Sequence, residues 1–158
     1  MRPSAFAVLG LVVAGCLGPP PASERATDAA RELNVATRFG RMDIAMGRTA
    51  SGARDDFAKR RAAWGAEIRI VDVELAGMSM PDSSHALIQV DYAWVRMSEG
   101  TLRSTRVAQN WETKKGEWQL EREHREAGDI GLFGEPMPVS APLPRHDAQF
   151  ATKIIREQ

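Results

Sequence analysis

The chain has 158 residues, with 21 Lys+Arg against 21 Asp+Glu and a hydrophobic content of 43%. That length holds one ordinary domain, and that hydrophobic content marks a globular chain rather than a disordered one. A formal net charge of +0 gives no electrostatic case for nucleic acid as a partner.

The N-terminus reads as an export signal. Met1-Arg2-Pro3-Ser4 gives a short positive start, and Ala5 to Val13 (AFAVLGLVV) gives an apolar run of signal-peptide length. The run falls well short of the roughly twenty apolar residues a spanning helix needs. Val13-Ala14-Gly15-Cys16 follows at once. A branched aliphatic residue, two small residues and a cysteine in this order resemble the lipobox of bacterial lipoprotein precursors.

That resemblance implies that residues 1–15 are a signal peptide, cut between Gly15 and Cys16. It also implies diacylglycerol on the Cys16 sulfur and an acyl chain on the new amine. A thiolate is a strong nucleophile suited to thioether formation, and two or three buried chains give lasting attachment where one would not. Cys16 is the only cysteine, so no internal disulfide competes for it. Leu17, rather than Asp, follows it. By the same resemblance this points to the outer membrane, facing the periplasm. No cofactor beyond the covalent lipid is expected.

Leu17 to Ala26 (LGPPPASERA) reads as a semi-stiff spacer, so residues 16–26 form a lipidated tether. A helix is expected from Thr27 or Asp28, with Val35, Phe39, Met42 and Met46 recurring on one face. Gly40 and Gly47 weaken that helix, and Gly47 ends or bends it. A second helix follows Ser51, with Asp55 and Asp56 early and Lys59, Arg60 and Arg61 late, as the helix dipole prefers. Phe57 and Trp64 share its inner face, Gly65 stops it, and the Lys59-Arg60-Arg61 run reads as a solvated face.

From Glu67 the hydrophobic period becomes two. Ile68–Leu75, Ala86–Met97, Thr101–Thr113 and Glu117–His124 read as strands. Two-residue turns at Glu99-Gly100 and Lys115-Gly116 set Trp94 opposite Thr105, Tyr92 opposite Val107, Trp111 opposite Leu120 and Gln109 opposite Arg122. One face then collects Ile88, Val90, Tyr92, Trp94, Val107, Trp111, Trp118 and Leu120. The other collects Gln89, Asp91, Ser104, Arg106, Asn110, Gln119, Glu121 and Glu123. The expected fold class is α+β: two N-terminal helices packed on one face of a curved antiparallel meander of about four strands, over residues 27–133. Residues 134–158 form a proline-rich tail, in which Asp147–Arg156 reads as a short helix or an unstructured end. Ile130, Leu132 and Phe133 are expected to close one end of the core.

Helices followed by a meander with an aromatic concave face, carried by Phe57, Trp64, Tyr92, Trp94, Trp111 and Trp118, are similar to the nuclear-transport-factor-two-like superfamily of cone-shaped α+β folds. Its members include isomerases, dehydratases, polyketide cyclases and non-enzymatic binding domains. The chain departs from the pattern, since those folds commonly have more strands and a third helix.

The candidate ligand-binding residues are Tyr92, Trp94, Gln109, Trp111 and Arg122. Arg122 opposite Gln109 on the apolar face can hold an anionic ligand, or it can lay its methylenes on the core and reach water. The tryptophans fit either a core stripe or the wall of a hydrophobic pocket. No acid or base of the last three strands falls on that face, leaving only Asp72 or Glu74 for acid–base chemistry. His85, His124 and His146 lack a metal-ligand spacing, so no metal and no catalytic residues are expected. The function these features imply is a non-enzymatic, membrane-tethered binding or assembly domain. Its partners would be the membrane and an envelope protein or small molecule. The alternatives are a carrier of a small hydrophobic or anionic ligand in a cone-shaped cavity, and a small cone-fold enzyme of isomerase or hydro-lyase type.

Overall fold

A computed structural model describes residues 19–136. Residues 1–18, with the lipobox-like Val13-Ala14-Gly15-Cys16, and residues 137–158 lie outside the described residues. Helices come first and a four-stranded antiparallel sheet follows in the order β1-β2-β3-β4, an α+β arrangement.

Helix α1 spans Ala22–Arg38 and starts directly after Pro21, so the end of the expected tether is already helical. Its inner face is not the one that the larger apolar residues suggest. Ala26, Ala29, Ala30, Leu33, Asn34, Ala36 and Thr37 are buried, at the three- and four-residue steps of one helical stripe. Val35 is partly exposed, and Phe39 is 70% exposed. Small side chains on the inner stripe let the helix backbone come close to the sheet, and α1 lies against β1, β2 and β4.

The helix expected to run on to Met46 stops at Arg38. The Arg41 N–H donates to the Ala36 carbonyl at 2.8 Å and the Gly40 N–H to the Thr37 carbonyl at 3.1 Å. Gly40 has φ +71°. These paired bonds around a left-handed glycine form a Schellman stop, which reverses the chain where a β-carbon would be strained. Helix α2 (Met42–Gly47), a 3-10 turn (Ser51–Ala53) and helix α3 (Arg54–Arg60) complete the helical part. Among the described residues, one long α-helix and two short ones thus replace the two expected.

The strands are β1 (Ile68–Ser79), β2 (His85–Arg96), β3 (Leu102–Lys114) and β4 (Glu117–Gly128). Every residue assigned to the apolar face from Ile88 to Leu120 is buried. The turn at Lys115-Gly116 is present, with φ of 53° and 88°, the two left-handed residues that suit the twist of a tight hairpin. The turn at Glu99-Gly100 is not the one expected. The Glu99 and Gly100 N–H groups both donate to the Arg96 carbonyl, and the register moves by two residues. Trp94 pairs with Arg103, Tyr92 with Thr105 and Ile88 with Gln109. A slip of two exchanges partners but keeps every side chain on its own face.

A slip of one does not, and β4 contains one. Trp111 pairs with Leu120 as expected, but a bulge follows, after which Asn110 pairs with Arg122 and Gln109 with Glu123. The extra residue at the bulge turns over the stretch of β4 that follows, up to a second one-residue shift between Arg125 and Ala127. Arg122 therefore leaves the apolar face and is exposed, while Glu123 enters it and is buried. The outer edge of β4 is partly covered, since the Leu120 N–H donates to the Arg48 carbonyl and the Ala50 N–H to the Leu120 carbonyl. Beyond β4, Leu132 and Phe133 are buried in the core and Ile130 is not. The Trp64 indole donates to the Leu132 carbonyl at 2.8 Å, and its ring stacks on Phe133.

Candidate functional site

The interior between α1 and the sheet holds a polar network within an apolar shell. Asn34 faces the sheet from α1. Its Nδ2 donates to Gln109 Oε1 at 3.0 Å, and Gln109 Nε2 returns a bond to Asn34 Oδ1 at 3.0 Å. The Tyr92 hydroxyl also donates to Asn34 Oδ1. Gln109 Nε2 reaches Glu123 Oε2 at 3.3 Å, and the Trp111 indole donates to Gln109 Oε1 at 3.3 Å. Buried amides and hydroxyls have to be paired in this way to offset their lost hydration.

The charged end of the network is an ion pair. Arg61, just past α3, donates through Nη2 to Glu123 Oε2 at 2.8 Å and through Nη1 to Glu123 Oε1. The Arg61 side chain is 0% exposed and that of Glu123 3%. The guanidinium lies over the Phe57 ring at 3.7 Å and the Trp64 ring at 4.7 Å, which adds cation–π attraction. Burial alone would lower the affinity of Arg61 for its proton, but the charge and hydrogen bonds of Glu123 reverse this and raise it. Burial pushes the Tyr92 hydroxyl well above its ordinary range, so Tyr92 remains a neutral donor.

These contacts decide the fate of each candidate. Tyr92, Gln109 and Trp111 are brought together, with their polar atoms joined through Asn34 and Gln109. Trp94 is buried apart from them, its indole donating to Thr105 Oγ1 at 2.9 Å. Arg122 is absent from the group because of the bulge. It pairs across the outer face with Asn110, whose amide oxygen, turned towards it, accepts from Nε and Nη2 at 3.1 Å. The buried cation is Arg61, read from sequence as part of a solvated run. Asp72 and Glu74 are both exposed, and Asp72 accepts from Arg38 at 2.8 Å. The acid on the apolar face is instead Glu123.

Two of the three residues missed had a signal. Phe57, Arg61 and Trp64 stand at i, i+4 and i+7, so extending the helical stripe places Arg61 beside both rings. Asn34 sits within the alanine stripe of α1. Glu123 had no such marker, because the chain after Leu120 (EREHREAG) has no large apolar residue to reveal which face each position takes.

Of the surface recesses among the described residues, two border the α1–α2 turn. A recess of about 170 Å³ is lined by Thr37, Arg38, Gly40, Met42, Arg61, Trp64, Gly65, Arg69 and Ile70. An open groove of about 410 Å³ lies on the outer side of α1 and α2, lined by Glu32, Val35, Ala36, Phe39, Arg41 and Ile44.

No protein-family profile and no curated protein sequence matches the chain. Among solved structures, it is similar to the solution structure of a SEC-C motif containing protein from Rhodopseudomonas palustris. The TM-score is 0.55 at 18% identity, covering 66% of this chain and 80% of that one. At this identity the likeness concerns the fold alone.

Proposed function

We propose that the chain is a lipid-anchored lipoprotein of the bacterial envelope whose α+β domain binds or assembles with another envelope component and is not an enzyme. In this reading residues 1–15 are removed and Cys16 carries diacylglycerol and acyl chains. Residues 16–26 leave the bilayer, their last part already in α1, and Leu17 permits transfer to the outer membrane. The helices close one face of a curved sheet into a cone like those of the nuclear-transport-factor-two-like folds.

The observation that carries the binding role is where apolar surface is spent. Inside, Tyr92, Trp94, Gln109 and Trp111 are all buried and make their polar contacts with the protein itself. They occupy the space that a hydrophobic ligand would need, which counts against a carrier built on the centre of the cone. Glu123, the acid of that interior, is committed to Arg61 and Gln109, which counts against acid–base catalysis there. Outside, Phe39 and Val35 stay in water beside Ile44. An exposed aromatic in a shallow apolar groove is a common mark of an interaction surface.

The test places a photo-activatable phenylalanine analogue at position 39 of the full-length chain, in the cells that make it. The expected result is a discrete cross-linked species in the membrane fraction. Cross-linking no different from that of the same analogue at exposed Glu74 would overturn the docking role.

A further inference from the structure

The groove on the outer side of α1 and α2 has an order along its length. Arg41 lies at the α1–α2 turn beside Phe39, and Val35, Ala36 and Ile44 form the middle. Glu32 marks the far end, where its carboxylate accepts from Arg48, the residue after α2. Seven helical positions separate Glu32 from Phe39, about 10 Å. The apolar floor is thus flanked by one acid and one base at opposite ends.

A groove of this pattern is complementary to itself. Turned about a two-fold axis near Ala36, a second copy sets the partner's Arg41 against Glu32 and the partner's Glu32 against Arg41. Each Phe39 ring then meets the hollow that the small Ala36 leaves beside Val35. Both end charges can take part. Glu32 meets Arg48 through Oε2, which leaves Oε1 open among the described residues. Arg41 meets Asp43 at 3.5 Å, with the two side chains 60% and 72% exposed, a surface pair that contributes little. An unlike partner would need only the apolar floor and gives no reason for opposite charges at its two ends. The formal net charge of +0 adds no long-range repulsion between copies.

We propose that this groove docks the same groove of a second copy, making a two-fold dimer through α1 and α2. The proposal rests on the docking reading above and names its occupant. Burial of two Phe39 rings and two Val35 side chains supplies the apolar gain, and the charges at the ends set the alignment. A two-fold axis along the bilayer normal puts both Pro21 ends at one height, as two copies anchored in one leaflet require.

The test uses the full-length chain in the cells that make it, with the photo-activatable phenylalanine analogue at position 39 and two co-expressed copies carrying different tags. The expected product has twice the mass of the chain and carries both tags. Glu32→Arg in both copies sets like charges together and should lower its yield about tenfold or more. Arg41→Glu in both copies should do the same. Co-expression of Glu32→Arg copies with Arg41→Glu copies should restore the product, because each end again meets its opposite, and this rescue requires both variants to be folded. A product containing an unlike protein would overturn the second copy as occupant and leave the docking reading in place. A yield no different from that of the Glu74 control would overturn both. A double-tagged product indifferent to the two charge variants, or not restored by their mixture, would overturn the two-fold alignment.

Discussion

Arg61 and Glu123 form a two-point ion pair out of reach of water, joining the end of α3 to the middle of β4. The same Glu123 accepts from Gln109, which is bonded to Asn34 on α1. One carboxylate thus ties the sheet to two separate stretches of the helical part.

Such a pair adds little net stability but is costly to break from one side, because the remaining charge is left without a partner. Glu123→Gln and Arg61→Met are each expected to destabilise the domain by about 3–5 kcal/mol. The double variant Arg61→Met with Glu123→Leu should recover most of that loss. Urea denaturation of the four proteins measures it, and single-variant costs below about 0.5 kcal/mol would show that the pair is solvated.

The bulge in β4 makes a contrast that a simple alternation would reverse. Arg122→Ala is expected to change stability by no more than about 0.5 kcal/mol, as for an exposed residue. Trp111→Ala, in the core next to the bulge, should cost about 3–5 kcal/mol. A severe loss from Arg122→Ala would place that residue inside and contradict the observed register.

How far the fold was legible follows from these positions. Four strands, and the inner face of the last three, could be read because Ile88, Val90, Tyr92, Trp94, Trp111, Trp118 and Leu120 hold alternate positions there. The slip of two at the β2–β3 turn did no harm, because faces survive an even slip. The bulge after Leu120 did harm, because an odd slip turns the strand over and EREH offers no apolar residue to register it. In α1 the larger residues misled. Val35 and Phe39 suggested the inner face, whereas alanines occupy it because the helix packs close to the sheet. Tyr92, Gln109 and Trp111 of the network were read on the sheet's inner face, but Asn34, Arg61 and Glu123 escaped for a related reason: they are polar, and polarity alone reads as surface.

The β1–β2 connection should give stability a pH dependence. Asp82 accepts from the Ser84 hydroxyl and N–H, both at 2.7 Å, and from the His85 N–H at 2.9 Å, with the His85 ring also in contact. The Ser84 bonds first, and then those of His85, hold its carboxyl far below the usual carboxylate range. A carboxyl depressed in the folded state stabilises fully above its unfolded value and loses that contribution as pH falls towards the folded value. Asp82→Ala is therefore expected to lower the melting temperature at pH 5. The gap should begin to narrow as pH falls below about 4, the ordinary aspartate range, and close only as pH nears the depressed folded value. Thermal melts at these values check it, and a gap that widens on acidification would contradict the account.

The most direct test of the central claim is the intact mass of the full-length protein, extracted from membranes of the bacterium that makes it. The account predicts a chain that begins at Cys16 and carries the added mass of diacylglycerol and an acyl group, with the modification mapped to Cys16. Cys16→Ser should then be absent from the membrane fraction. An unmodified Cys16 in the extracted protein, or Cys16→Ser remaining membrane-bound, would contradict the lipid anchor and the envelope role built on it.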